Sequence, residues 1–336
     1  MGSIKNLRKN TIILLLITVI ILFLVLKDDF NEIIGTLSSM NYIYIGIAIF
    51  FFGLSIILKA YVNYKTVADK EKISLKEAIK HNIIVQFFNG ITPFNTGGQP
   101  MEIYMLTEHN IKVSHATNIV IQNFIFYQIA LVIYGLFAVI YNAIFHIFPT
   151  IPILRKLVVI GFMINTLVAI ILFFISFSKK TTMSVSHLLI QLLGKIKLIK
   201  DPEKTKKSVD KKLEEFHISA TELRKRKRLL VGGIAINLLS LTCLYIVPLF
   251  ILFALNNFTS MNVADTLVSS AYVLIIGAFV PIPGASGGVE YGFLKFYGNF
   301  LPSQTVAAVL LVWRFLTYYL GMIVGSIVFS LEKKVK

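Results

Sequence analysis

Six stretches of this sequence, Thr11 to Leu26, Asn41 to Tyr64, Ala116 to Phe145, Leu157 to Phe177, Leu229 to Leu255 and Thr305 to Leu331, are almost wholly apolar. About 20 apolar residues in a helix cross the roughly 30 Å of hydrocarbon in a bilayer, so these runs predict membrane-spanning helices. Inside hydrocarbon each backbone N–H and C=O needs an internal partner, and helices supply it within one segment. A chain of 336 residues that is 56% hydrophobic and 15% charged has more apolar surface than one soluble core can enclose. The predicted fold class is an all-α integral membrane protein, a single polytopic domain over 1–336.

Charge sets the orientation. The first run follows Lys5, Arg8 and Lys9, as a secretory signal would, but no small-residue cleavage site follows it, so it reads as an uncleaved first helix. The second run ends in Lys65, Lys70, Lys72, Lys76 and Lys80, which places both ends of this pair in the cytoplasm. The stretch 179–228 is strongly basic and mixes lysines with Leu188, Leu189, Leu192 and Leu193. It reads as a cytoplasmic amphipathic connector lying against anionic inner-leaflet lipids. The formal charge of +16 is explained by this bias, and nucleic acid is not an expected partner. A multi-pass plasma-membrane protein with both termini cytoplasmic is the expected placement.

Two segments break the pattern. If the runs from Ala116 and Leu157 end in the basic connector, then Asn82 to Leu106 starts and finishes on the cytoplasmic side, and Gly90, Pro93, Gly97, Gly98 and Pro100 interrupt it. By the same count, Val263 to Leu301 starts and finishes outside and is broken at Pro281 to Gly288. Both read as re-entrant hairpins entering from opposite faces, alongside about six spans. Span, hairpin and span then recur in opposite orientation over 41–145 and 229–331, an inverted repeat of the kind transporters use. No residue-by-residue repeat is evident, so this symmetry rests on topology, and full crossing by each hairpin arm stays open.

The hairpin tips hold the candidate substrate-binding residues. In the first, Gly97 and Gly98 permit close backbone approach, Asn89, Thr92, Asn95, Thr96 and Gln99 add polar groups, and Glu102 is a carboxylate at membrane depth. A helix beginning after Pro100 would also point free N–H groups at a ligand. The second tip offers Gly284, Ser286, Gly287, Gly288 and Glu290. Arg314 sits within the last span with Tyr318 one turn on. A buried guanidinium demands a partner, with Glu290 the first expectation, Glu102 the second and a lipid phosphate the alternative. No Walker-type loop, nucleophile elbow or zinc-protease motif is present, the histidines are scattered, and Cys243 is single. No cofactor, metal or catalytic residue is expected.

The segments Thr92-Pro93-Phe94-Asn95-Thr96-Gly97-Gly98-Gln99-Pro100, Pro281-Ile282-Pro283-Gly284-Ala285-Ser286-Gly287-Gly288-Val289-Glu290 and Trp313-Arg314-Phe315 with Tyr318-Tyr319 resemble, in order and spacing, the transmembrane region of the lysylphosphatidylglycerol synthase/flippase family. The resemblance implies a flippase-like translocator of a phospholipid or lipid-linked headgroup, aminoacylated or glycosylated, without the synthase domain. A membrane scaffold, or the membrane half of a split phosphatidylglycerol lysyltransferase-type system, is the alternative. Self-association into a homodimer is left open.

Overall fold

Helices account for every apolar run that the computed structural model describes. It covers residues 38–67, 73–148, 152–195, 201–224, 226–278 and 280–335, with Gly35. The run expected at 11–26 lies outside the described residues. In chain order the helices are α1 (Tyr42–Val67), α2 (Leu75–Gly90), α3 (Gly98–Glu108), α4 (Val113–Phe145), α5 (Pro152–Phe177), α6 (Lys179–Lys195), α7 (Pro202–Arg224), α8 (Lys227–Tyr245), α9 (Val247–Ala254), α10 (Val263–Gly277), α11 (Gly288–Tyr297), α12 (Ser303–Arg314) and α13 (Leu320–Val335). No strand occurs among the described residues.

Four units are long and apolar enough to cross a membrane: α1, α4, the α8–α9 pair and the α12–α13 pair. Their outward faces carry exposed residues such as Ile43, Phe50, Ile144, Leu239 and Ile327. Helix α5 holds a shorter apolar stretch, Val158–Ile171. The α8–α9 unit bends because Pro248 has no N–H to continue the ladder. Leu249 N–H turns to Ile246 O (3.0 Å), and the carbonyl of Tyr245 instead accepts a bond from Ser270 Oγ (2.8 Å).

Two hairpins of short helices lie between these units. At 1.5 Å per residue, α2 and α3 extend about 24 and 16 Å and α10 and α11 about 22 and 15 Å, so none alone covers roughly 30 Å of hydrocarbon. The first hairpin starts at Leu75, earlier than the expected Asn82. Ser74 caps it in a reciprocal box with Glu77, and Lys80, read from sequence as a loop charge, pairs on the helix with Glu332 (3.0 Å). Each hairpin reverses through a short 3₁₀ turn, Pro93–Asn95 or Pro283–Ala285, and the two turns pack against each other.

The turns also match locally. Pro93, Gly97 and Gly98 stand 190 positions before Pro283, Gly287 and Gly288. The two residues after each proline share the left-handed conformation: Phe94 (φ 53°) and Asn95 (φ 53°) in one, Gly284 (φ 65°) and Ala285 (φ 54°) in the other. Length differences in the flanking helices hide this register in the sequence.

Small residues let the last span approach the first hairpin. A Cβ on Gly325 would sit 2.6 Å from Ile83 O, and one on Gly321 would strike the Gln86 amide, so the Gly321/Gly325 spacing seats α13 directly on α2. Between α12 and α13 the chain makes one π turn, Phe315–Tyr319, where Leu320 N–H bonds Phe315 O. The basic stretch folds as two helices, α6 and α7, which pack together, with Lys179 bonded to Glu214 (2.8 Å) and His187 to Asp210 (2.6 Å).

Candidate functional site

A cavity of about 600 Å³ opens where the two hairpin tips meet α1, α4, α8 and the π turn. Carboxamides dominate its polar lining: Asn63, Asn82, Gln86, Asn89, Asn95, Gln99, Asn123, Gln128, Asn165 and Asn237. Such side chains both donate and accept, which suits hydroxylated or phosphorylated groups and is costly at membrane depth without a ligand or water.

Eight of the residues singled out from sequence reach this cavity: Asn89, Asn95, Thr96, Gln99, Glu102, Gly284, Arg314 and Tyr318. The others build its frame. Thr92 Oγ1 accepts the Gly97 N–H (2.8 Å), and Asn89 Oδ1 accepts the Gly98 N–H (2.8 Å). The donors at the start of α3 therefore close the turn. A Cβ on Gly97 would lie 2.7 Å from Phe88 O, and one on Gly98 would strike Asn89, so these glycines serve close packing of the tip on α2. In the second tip Ser286 Oγ bonds Pro283 O (3.2 Å), and Gly287 N–H bonds Glu290 Oε2 (2.7 Å), opening α11 at Gly288.

Arg314 has the expected partner. Its Nε and Nη2 lie 2.7 and 2.6 Å from Glu290 Oε1, and Nη2 also donates to Gly284 O (3.1 Å). Both side chains are 6% exposed. The guanidinium stands 5.0 Å from the Tyr318 ring centre. Tyr318 joins both hairpins, since its hydroxyl donates to Gly90 O (2.8 Å) while its ring fills the space where Gly284 lacks a Cβ. Gln86 Nε2 donates to Thr317 O (3.2 Å), tying α2 to the π turn. Glu102 instead takes Asn63 Nδ2 (2.6 Å).

Sequence reading missed Lys59, Asn63, Asn123 and Tyr127. Lys59 Nζ lies 4.7 Å from the Tyr127 ring centre, and Thr66 Oγ1 bonds Asn123 Oδ1 (2.7 Å). The signal was present: Lys59 is the one charged residue between Asn41 and Tyr64, and amides recur in α4, and polar residues in apolar runs are functional candidates by default.

The model of the family described as "Lysylphosphatidylglycerol synthase TM region" matches residues 11–325. The chain belongs to that family. This member of the lysylphosphatidylglycerol synthase TM-region family is also similar to a "UPF0104 membrane protein" of Archaeoglobus fulgidus. The two are 22% identical over 264 residues, 76% of each chain. With its long apolar helices, membership makes this chain a multi-pass membrane protein tied to lipid handling.

Proposed function

We propose that this protein translocates a phospholipid or lipid-linked headgroup across the plasma membrane. One observation carries the reading: a cavity bearing many carboxamides, formed at the contact of two broken hairpins, inside a helical body whose outer faces are apolar. In this reading both hairpins are re-entrant, from opposite faces, and 41–145 and 229–331 form an inverted repeat with both termini cytoplasmic. The headgroup occupies the cavity while its acyl chains stay in the bilayer. Rocking of one half against the other exposes the cavity to each side in turn. The Arg314–Glu290–Gly284 unit holds the second tip in shape, and the carboxamides satisfy the headgroup. The α6–α7 pair rests on anionic inner-leaflet lipids.

The test is leaflet exchange in proteoliposomes holding labelled phosphatidylglycerol, lysylphosphatidylglycerol or a polyprenyl phosphate-linked sugar. Exchange above that of protein-free vesicles is expected for at least one lipid. Arg314→Ala, and Gln99→Trp as a cavity-filling variant that leaves the ion pair intact, should each abolish it. No exchange above background, or undiminished exchange by a folded Gln99→Trp protein, overturns the reading.

A further inference from the structure

Three charged side chains line the cavity among the described residues: Lys59, Glu102 and Arg314. They are not equivalent. Arg314 is matched by Glu290 behind it, so that charge is cancelled within the protein. Lys59 has no carboxylate within 4.0 Å among the described residues; it faces the Tyr127 ring. Glu102 has no cation within that distance either. Its Oε1 takes Asn63 Nδ2, and Oε2 has no hydrogen bond among the described residues.

Asn123, 8% exposed, also lines the cavity, with its carboxamide against the Thr66 hydroxyl (2.7 Å). Asn123 and Tyr127 lie one turn apart on α4, as Lys59 and Asn63 do on α1, so each pair shares a helix face. The wall formed by α1, α3 and α4 therefore presents one cation and one carboxylate, which attract each other across more than ion-pair distance.

We infer that the cavity takes a zwitterionic headgroup bearing one phosphate and one ammonium, which inserts between Lys59 and Glu102 with the phosphate on Lys59 and the ammonium on Glu102. This deepens the translocation reading and rests on it. The charge balance selects the class. A headgroup of net charge zero with separated charges meets both groups. A monoanion leaves Glu102 opposite a phosphate, and a net cation leaves Lys59 unmatched, each unfavourable where water is scarce. A neutral polyol would use the carboxamides but would leave both charges without a ligand partner.

Proteoliposomes carrying labelled phosphatidylethanolamine, phosphatidylglycerol, lysylphosphatidylglycerol or a diacylglycerol hexoside test this. Phosphatidylethanolamine should exchange about tenfold faster than the others. Glu102→Gln should move the preference to the anionic phosphatidylglycerol, and Lys59→Met to the cationic lysylphosphatidylglycerol. A ranking that neither substitution changes, or a hexoside that exchanges fastest, overturns the assignment.

A second measurement leaves the charges intact. With Cys243→Ser and Gln99→Cys, water-soluble glycerophosphoethanolamine should protect the cavity thiol from a maleimide at lower concentration than glycerol 3-phosphate. The reverse order is equally fatal. Exchange of none of the four lipids, nor of the polyprenyl phosphate-linked sugar, removes the translocation reading and this inference with it, whereas exchange without a charge-dependent ranking removes the zwitterion alone.

Discussion

Removing the Glu290 carboxylate tests whether a cancelled charge holds the second hairpin tip. Glu290 accepts three bonds, from Gly287 N–H, Arg314 Nε and Arg314 Nη2, at an ion pair whose two side chains are 6% exposed. Glu290→Gln leaves the guanidinium buried without a counter-charge, which costs about 3–5 kcal/mol. Arg314→Met alone should cost a similar amount by stranding the carboxylate. The double variant Glu290→Met with Arg314→Met carries no buried charge. Its residual cost is that of the unpaired Gly287 N–H and Gly284 C=O, about 1–3 kcal/mol each at most. The double variant should therefore cost less than the two singles together, with a coupling of about 4 kcal/mol at the middle of these ranges. The protein carries its own reporter: its one tryptophan, Trp313, adjoins Arg314 and stacks on Phe293 at 4.9 Å. Reversible unfolding in mixed micelles, followed by Trp313 fluorescence, measures all three variants. Additive costs, or a single-variant cost below about 1 kcal/mol, would refute the assignment of this pair as the strut of the tip.

Two other outcomes follow from the helices around the cavity. Gly325→Leu should separate α13 from α2, because even a Cβ there would sit 2.6 Å from Ile83 O; cysteine cross-linking between the two helices should fall sharply, and unchanged cross-linking would contradict the packing. At the mouth of the first hairpin, Ser74→Ala should cost about 1 kcal/mol of helix stability, read as faster amide exchange near Ala78. The Ser74 N–H and hydroxyl hold the Glu77 carboxyl below its usual range. Its support is therefore complete above the unfolded-state value of about 4.3 and is lost as pH falls through the lower folded value; pH-independent protection in wild type would refute it.

The parts of this molecule legible in its sequence are those where one residue type has few options. Long apolar runs become helices, Pro93 and Pro283 open the turns of the two hairpins, and an arginine deep in a span needs an acid, which Glu290 provides. The glycines were less legible. Gly97 and Gly98 suit a ligand-facing backbone and a tightly packed turn equally, and only the positions of Thr92 and Asn89 show that the turn uses them. The cavity wall was harder still, because Lys59 comes from one span and Asn123 and Tyr127 from another, and no local pattern gives the rotation of either about its axis. The bounds of the first hairpin slipped for a related reason: Lys76 and Lys80 read as a charged loop, yet a capped helix places Lys80 beside Glu332.

The π turn at Phe315–Tyr319 adds one residue to a helical revolution, and with it a phase shift. A continuous α-helix through this point would rotate everything after it by about 100° relative to everything before. As built, Trp313 and Arg314 address the second hairpin, Gly321 and Gly325 address the first, and Tyr318 touches both. One span thus reads two partners, with the changeover at Tyr318. Loss of one residue here would leave hydropathy untouched and still send the glycine stripe away from α2, so the length of this segment is itself a coded feature.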